Sequence, residues 1–149
     1  MGLKQPRSEV SESELAVLKV FWNRTALKVG EVRDILNGLG KSWAYNTVQT
    51  LIKRLEQKGY LRSEKDGRAF VFSATMSRQE YLSSSLSQLA KRVCAGSRTP
   101  MFHALVENQA FSKEEICEFR ALLDQLESDF EDEDSHPEDV IELKRGGDA

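Results

Sequence analysis

The sequence predicts a mainly α-helical protein with one small β-hairpin: an N-terminal winged helix-turn-helix domain plus a C-terminal helical dimerisation domain. Apolar residues recur at intervals of three and four through most of the 149 residues, which is typical of amphipathic helices. Two short alternating segments near the middle interrupt this spacing and indicate a hairpin. Residues 1–78 carry a net charge of +6 and residues 79–149 a net charge of −9. This asymmetry indicates a polyanion-binding module joined to a second module, with ordinary variation of a solvated surface as the alternative.

Two helices are predicted before residue 40. Ser11 and Glu14 have the spacing of a capping box, and apolar residues at helical intervals follow, so the first helix is expected over residues 12–23. The same intervals recur over residues 29–37, where a second, shorter helix is predicted. Asn37-Gly38 supplies its stop signal.

A third helix, from residue 43 or 44 to residue 58, has the most informative pattern. One face is apolar and consists of Ala44, Val48, Leu51, Ile52 and Leu55. The opposite face has no carboxylate and carries Asn46, Thr50, Lys53 and Gln57, flanked by Gln49 and Arg54. Amides, hydroxyls and cations hydrogen-bond base edges and phosphates, so this face is interpreted as a DNA-reading surface. A plain amphipathic helix with a polar exterior is the alternative.

The hairpin is predicted from two strand-like segments, residues 60–63 and 69–73, with Asp66-Gly67 as the turn between them. Phe70 and Phe72 share one face of the second strand by alternation, and we expect both to pack on the helices.

The tip of this hairpin is basic, because Lys65 and Arg68 flank the turn. Solubility is the alternative explanation for this charge, because charged residues are common at turns. Three helices followed by a hairpin is, however, the element order of a winged helix, which is predicted over residues 9–78. In that arrangement the third helix enters the major groove and the hairpin contacts the DNA backbone.

The second half is predicted to be helical. One helix is expected from Gln79 to Cys94, a short one has Thr99 as N-cap and Pro100 at its first position, and Ser112 begins the capping box of the last. Their apolar stripes contain Leu82, Leu86, Leu89, Val93, Met101, Leu105, Ile116, Phe119, Leu123 and Leu126. These helices are too few for a convincing core of their own, so residues 79–130 are predicted to be a dimerisation domain. Folding back on the first domain is the alternative.

Residues 131–149 form an acidic segment of low hydrophobicity that includes the run Glu131 to Asp134, and this segment is predicted to be a disordered tail. A DNA mimic that competes for the basic face is the alternative interpretation.

The composition argues against an enzyme, a metal site or a cofactor. The chain has two histidines and two cysteines, and they lack metal-ligand spacing. Nucleotide-binding, nucleophile-elbow and zinc-hydrolase motifs are absent from the sequence. The N-terminus has no apolar signal segment and no run of about 18 apolar residues occurs, so we expect a cytoplasmic protein with reduced thiols and no membrane insertion.

Several segments resemble the penicillinase-repressor family, which includes the methicillin-resistance and copper-responsive repressors. Residues 13–22 are similar to the family's first helix, and residues 43–61 are similar to its recognition helix and first wing strand. Residues 105–108 and 112–116 resemble its dimerisation region. The resemblance covers roughly residues 9–128 and is most specific over the recognition helix.

The resemblance implies a homodimeric repressor that binds double-stranded DNA at an inverted-repeat operator with TACA/TGTA half-sites. It places Asn46, Thr47, Gln49 and Thr50 at base- and phosphate-contacting positions, with Trp43 and Tyr45 beside them, Lys53 and Arg54 by the backbone, and Arg62, Lys65 and Arg68 in the wing. The rival hypothesis is a winged-helix protein-interaction module without specific DNA binding.

The resemblance also implies relief of repression by a membrane sensor protease, which cuts the dimerisation domain at an Asn–Phe bond. That bond aligns with Ala104 and Leu105, and neither residue matches. The copper branch carries C-terminal Cys-x-Cys motifs, whereas this chain has the separate Cys94 and Cys117. Direct small-molecule binding, another protease and no induction at all therefore stay open.

Overall fold

The computed structural model describes residues 8–108 and 110–134. Its first part consists of α1 (Glu12–Trp22), α2 (Val29–Gly38), α3 (Tyr45–Gln57), β1 (Leu61–Asp66) and β2 (Ala69–Ala74). Within the described residues the chain continues with α4 (Arg78–Val93), α5 (Thr99–Asn108) and α6 (Lys113–Asp134). The predicted fold class, mainly helical with one small hairpin, is confirmed. The chain divides after Ser97 into two compact units, so that α1 to α4 belong to the first and α5 and α6 to the second.

The core of the first unit lies among α1, α2, α3 and the hairpin. Its largest fully buried side chains are Leu18, Leu36, Ile52, Leu55, Val17, Val32 and Val48. Each comes from the apolar side of one of the three helices, which is why helical spacing alone predicted them. The backbone of Leu27 pairs with Phe72 of β2, so a short bridge joins the hairpin to the segment between α1 and α2.

Capping boxes begin three of the helices. At α1 the Glu14 amide donates to Ser11 Oγ at 3.2 Å and the Ser11 amide donates to Glu14 Oε2 at 3.1 Å. The predicted box at Ser112 is also present, since its hydroxyl accepts from the Glu115 amide at 3.1 Å. Sequence reasoning missed a third box at α4, from Ser77 to Glu80, although Ser-x-x-Glu is visible there. The sequence predicts Thr99 as the N-cap of α5, with Pro100 as the first helical residue. The helix instead begins one residue earlier, at Thr99 itself.

The Glu14 carboxylate also ties α1 to the end of α3. Glu14 is 3% exposed, and Lys58 Nζ donates to its Oε2 at 2.7 Å. Burial raises the pKa of Glu14, but the Lys58 hydrogen bond, the Ser11 amide and the positive charges of Lys58 and Arg54 outweigh it, so the pKa lies below its usual value. The same ammonium group donates to the Glu9 carbonyl at 2.7 Å, which holds the chain before α1 in place.

The hairpin differs from its prediction at the turn. Asp66 pairs with Ala69 in the antiparallel register, so the two turn residues are Gly67 and Arg68 rather than Asp66 and Gly67. Gly67 has a φ of +61°, a conformation that glycine adopts without steric cost at the first turn position of a type II′ hairpin. Because the turn lies one residue later than expected, β1 extends to Asp66.

Phe70 does not pack on the helices, and that expectation is wrong. Phe72 is 6% exposed and belongs to the core, whereas Phe70 is 54% exposed. Alternation does place the two rings on one face of β2, but Phe70 lies one residue pair from the turn, beyond the region that the helices cover.

An aromatic cluster anchors the first turn of α4. Tyr81 lies 5.3 Å from Trp22 and 6.0 Å from Tyr60, measured between ring centroids. Trp22 Nε1 also donates to the Met76 carbonyl at 3.1 Å. These contacts join α4 to the end of α1 and to the base of the hairpin.

The apolar stripes of α4, α5 and α6 lie on the surface of the single chain. Leu82, Leu86, Leu89, Val93, Leu105, Ile116, Phe119, Leu123 and Leu126 are all exposed, and Met101 is half-buried. The helix α6 runs on to Asp134, so the first four residues of the predicted disordered tail are helical, while residues 135–149 lie outside the described part. Among the described helices, none has both the length and the apolar character that a bilayer crossing requires.

Candidate nucleic-acid interface

Helix α3 divides into a buried face and an outer face, as its sequence predicts. Val48, Leu51, Ile52 and Leu55 are buried against α1 and α2. The outer positions Asn46, Thr50, Lys53 and Gln57 are all exposed. The packing of the apolar side therefore presents the carboxylate-free side to solvent.

The edge of α3 nearest the hairpin carries Gln49, Lys53 and Glu56. The Glu56 carboxylate accepts a short hydrogen bond from the Ser63 hydroxyl of β1. This contact holds the hairpin beside α3 and keeps the one acidic group on that edge engaged. Arg54 lies on the other edge, where its positive charge acts on Glu14.

The N-terminus of α3 is open. Its N-cap, Ala44, is extended (φ −69°, ψ 156°) and supplies no capping side chain, and the first turn has no acidic residue. The first amide groups of a helix have no intrahelical acceptor and lie at the positive end of its dipole. The amides of Tyr45, Asn46 and Thr47 therefore form a positive end that suits a phosphate group.

Trp43 has a supporting position just before this helix. Its ring is partly buried against the core, its amide donates to Asn37 Oδ1 at 3.1 Å, and Lys41 Nζ lies 5.2 Å from the ring centroid. Tyr45, the first residue of α3, is 44% exposed and projects from the same end.

The hairpin has two distinct faces. Lys65 and Phe70 are cross-strand partners on the face that also carries Ser63 and Phe72, which is the face turned toward α3 and the core. Arg62 belongs to the opposite face, where its Nε donates to Ser73 Oγ at 3.2 Å and lies 4.0 Å from Glu64. The register thus separates two cations that the sequence places together in one wing.

Three cations around this surface have no carboxylate partner. Lys53, Lys65 and Arg68 are exposed and form no ion pair within 4.0 Å among the described residues. Together with the exposed amides and hydroxyls of α3, they make a surface that combines hydrogen-bonding groups with positive charge.

The structure thus brings most of the predicted DNA-binding residues to one part of the first unit, while Arg62 lies on the opposite face of the hairpin. Sequence reasoning missed Phe70 as a surface residue of this region. Phe70 is the second residue after the hairpin turn, and this position could have indicated its exposure, since residues near a hairpin tip extend beyond the supporting helices.

Comparison with known proteins decides the family. The profile of the penicillinase repressor family matches residues 10–125. The chain belongs to the penicillinase repressor family. It is 31% identical over 117 residues to the penicillinase repressor of Bacillus licheniformis, a match that spans 78% of this chain and 91% of the relative.

Other family members and structures are also similar. The methicillin resistance regulatory protein MecI of Staphylococcus aureus strain N315 is 24% identical over 115 residues, which are 77% of this chain and 93% of that protein. The solution structure of the DNA-binding domain of the repressor BlaI is 33% identical, covering 53% of this chain and 94% of that chain with a TM-score of 0.45.

The residues that align with the family's cleavage bond and the two cysteines all lie in the second half of the chain. Ala104 and Leu105 lie within α5, and both are exposed. Cys94 is half-buried, Cys117 is exposed, and both are free thiols. Over residues 8–108 and 110–134, no group of three or more histidine, cysteine or acidic residues could hold a metal ion.

Proposed function

We propose that the chain is a transcriptional repressor that binds double-stranded DNA sequence-specifically, as a homodimer on an inverted-repeat operator. The observation that carries the proposal is the outer face of α3, which is exposed, lacks carboxylates and lies beside a hairpin with unpaired cations. Membership in a repressor family supports the same function.

In the proposed complex, α3 enters the major groove. Asn46, Thr47, Gln49 and Thr50 reach base edges and nearby phosphates, and the open helix N-terminus binds a phosphate beside Tyr45. Lys53 and Arg54 lie along the backbone. Each good pair between an amide and a base edge contributes on the order of 1–3 kcal/mol of discrimination.

Phosphate contacts supply the affinity that is independent of sequence. Lys53, Lys65 and Arg68 release counterions when they approach phosphates, so binding weakens as salt rises. The hairpin supplies such contacts next to the groove that α3 occupies. This division of roles lets the wing increase affinity while α3 selects the site.

The exposed stripes of α4, α5 and α6 are proposed as the dimer interface. Two linked DNA-binding units bind two half-sites, and the second binding event becomes effectively intramolecular. Repression then follows because the bound dimer excludes RNA polymerase from an overlapping promoter in the cytoplasm.

Disruption of this interface would relieve repression. A cut or displacement in α5, where Ala104 and Leu105 are exposed, would remove apolar surface from the dimer and with it the linked binding of two half-sites. A membrane sensor protease is one source of such a cut, and another inducing signal is the alternative.

A gel-shift titration tests the function. Purified protein is titrated against an inverted-repeat TACA/TGTA duplex and a scrambled duplex at two salt concentrations. We expect tight binding to the repeat alone, with two protomers per duplex. Absence of binding to either duplex would contradict the proposal and favour a protein-interaction module.

A further inference from the structure

We propose that Phe70 and Lys65 form an apolar and cationic wing patch that contacts the sugar-phosphate edge of the DNA minor groove beside each half-site. The inference rests on the proposed DNA-binding function and adds a contact that charge and motif alone do not indicate. Phe70 packs on deoxyribose, and Lys65 pairs with the adjacent phosphate.

The exposure of Phe70 is the first observation. Its side chain is 54% exposed, whereas Phe72 on the same face is 6% exposed. Within the described residues Phe70 takes part in none of the ring–ring or cation–ring contacts. An aromatic side chain exposed on a short hairpin, beside unpaired cations, offers a large apolar area to a bound partner.

The direction of the patch is the second observation. Lys65 pairs with Phe70 and Ser63 pairs with Phe72 in the antiparallel register, so all four side chains share one face. The hydrogen bond from Ser63 to Glu56 shows that this face is turned toward α3. The wing patch therefore continues past the core on the side where α3 presents its outer face.

The chemistry of the pair fits one partner. The deoxyribose rings are the apolar part of the minor-groove wall, and a phosphate lies within one nucleotide of each. Phe70 and Lys65 are cross-strand neighbours, so the ring can contact a deoxyribose while the ammonium group contacts the adjacent phosphate. Apolar side chains also wedge against minor-groove steps in proteins that bend DNA.

Phe70 and Lys65 are expected to affect DNA binding in two different ways that can be measured separately. The contact of Phe70 is neutral, so it contributes affinity without counterion release, whereas that of Lys65 contributes to the salt dependence. Loss of the ring is expected to weaken binding about tenfold, which corresponds to about 1.4 kcal/mol.

The test compares Phe70→Ser with Val71→Ser on the operator duplex. Val71 is the next residue of the same strand and lies on the opposite face, so it controls for loss of strand propensity. Fluorescence anisotropy over a salt series measures the DNA affinity and the slope of log affinity against log salt concentration. Hydroxyl-radical footprinting reports which deoxyriboses are protected. Thermal unfolding checks that both variants fold. We expect Phe70→Ser to bind about tenfold more weakly with an unchanged salt slope and to lose protection at the sugars under the wing alone.

Two results would overturn the inference while leaving the proposed function intact. One is operator binding and footprinting by Phe70→Ser identical to those of the unmodified protein. The other is equal weakening by both substitutions, because a disordered strand would then explain the loss. If the unmodified protein bound no duplex at all, the DNA-binding function would fail together with the patch.

Discussion

At Glu14, one carboxylate performs two structural roles. It closes the capping box of α1 by accepting a hydrogen bond from the Ser11 amide. It also accepts a hydrogen bond from Lys58 Nζ at an N···O distance of 2.7 Å. Both hydrogen bonds favour the ionised form, so the pKa of Glu14 lies below its usual value despite burial. The pair joins the start of α1 to the end of α3, and it therefore contributes to the position of α3.

Replacement of this carboxylate is expected to change the acid dependence of folding. A group whose pKa is lower in the folded state stabilises the fold above its unfolded pKa of about 4.3, and this contribution is lost as the pH falls through the folded value. Glu14→Gln should lower the free energy of unfolding at pH 7 by about 1–3 kcal/mol, and the difference should shrink by pH 3. Urea denaturation at both pH values measures it.

Glu12→Gln is the matched control, because Glu12 is an exposed acidic residue of the same helical turn. Its stability should differ little from that of the unmodified protein at either pH. A Glu14→Gln deficit that stayed constant between the two pH values would argue against a depressed pKa.

Base discrimination is also expected to reside in single side chains of α3. Asn46 is exposed at the helix start, and its backbone carbonyl accepts from Thr50 Oγ1 at 2.9 Å, an interaction that alanine preserves. Asn46→Ala should reduce the preference for the operator over a scrambled duplex by roughly tenfold. Competition titrations with both duplexes measure this ratio, and an equal loss on both would exclude Asn46 as a reader of bases.

At the scale of elements, the hairpin is expected to contribute to DNA binding through one of its two faces rather than through its total charge. Lys65 lies on the face turned toward α3, whereas Arg62 lies on the other face with Ser73 and Glu64. A two-residue turn with Gly67 at a φ of +61° sets this register. A shift of one residue would exchange the two faces.

The salt dependence of DNA binding should therefore distinguish the two wing cations. Lys65→Ala is expected to weaken binding to all sequences and to lower the slope of log affinity against log salt by about one unit. Arg62→Ala should change the slope less. Titrations at four or more salt concentrations supply the slopes, and a larger effect at Arg62 would place the DNA on the opposite face of the wing.

At the scale of the whole molecule, a basic first half precedes an acidic second half with exposed apolar stripes. Leu123 and Leu126 of α6 are each 52% exposed in the single chain. Burial of such side chains contributes roughly 1.5–3 kcal/mol each, so burial of the stripe between two copies would favour the proposed dimer. The proposed function thus assigns sequence-specific binding and dimerisation to different parts of the chain.

A charge within the stripe is expected to separate the protomers. Leu123→Asp should give a monomer in analytical ultracentrifugation and lose the linked binding of two half-sites. Ala121→Asp introduces the same charge on the opposite side of α6 and should remain dimeric. A Leu123→Asp protein that still sedimented as a dimer would place the interface elsewhere.

The amino-acid sequence alone suffices to predict the features that depend on neighbouring residues. The apolar spacing predicted each helix, Ser-x-x-Glu predicted the starts of α1 and α6, and the carboxylate-free positions of α3 predicted its exposed face. These features were predictable because helical periodicity and capping act over three or four residues.

The contacts between distant segments, in contrast, become visible in the folded chain alone. The pairing of Glu14 with Lys58 joins residues 44 positions apart. The exposure of Phe70 depends on how far the hairpin extends past the helices, and the separation of Lys65 from Arg62 depends on the register that the turn sets. These properties arise from packing geometry between elements, which no local spacing in the chain specifies.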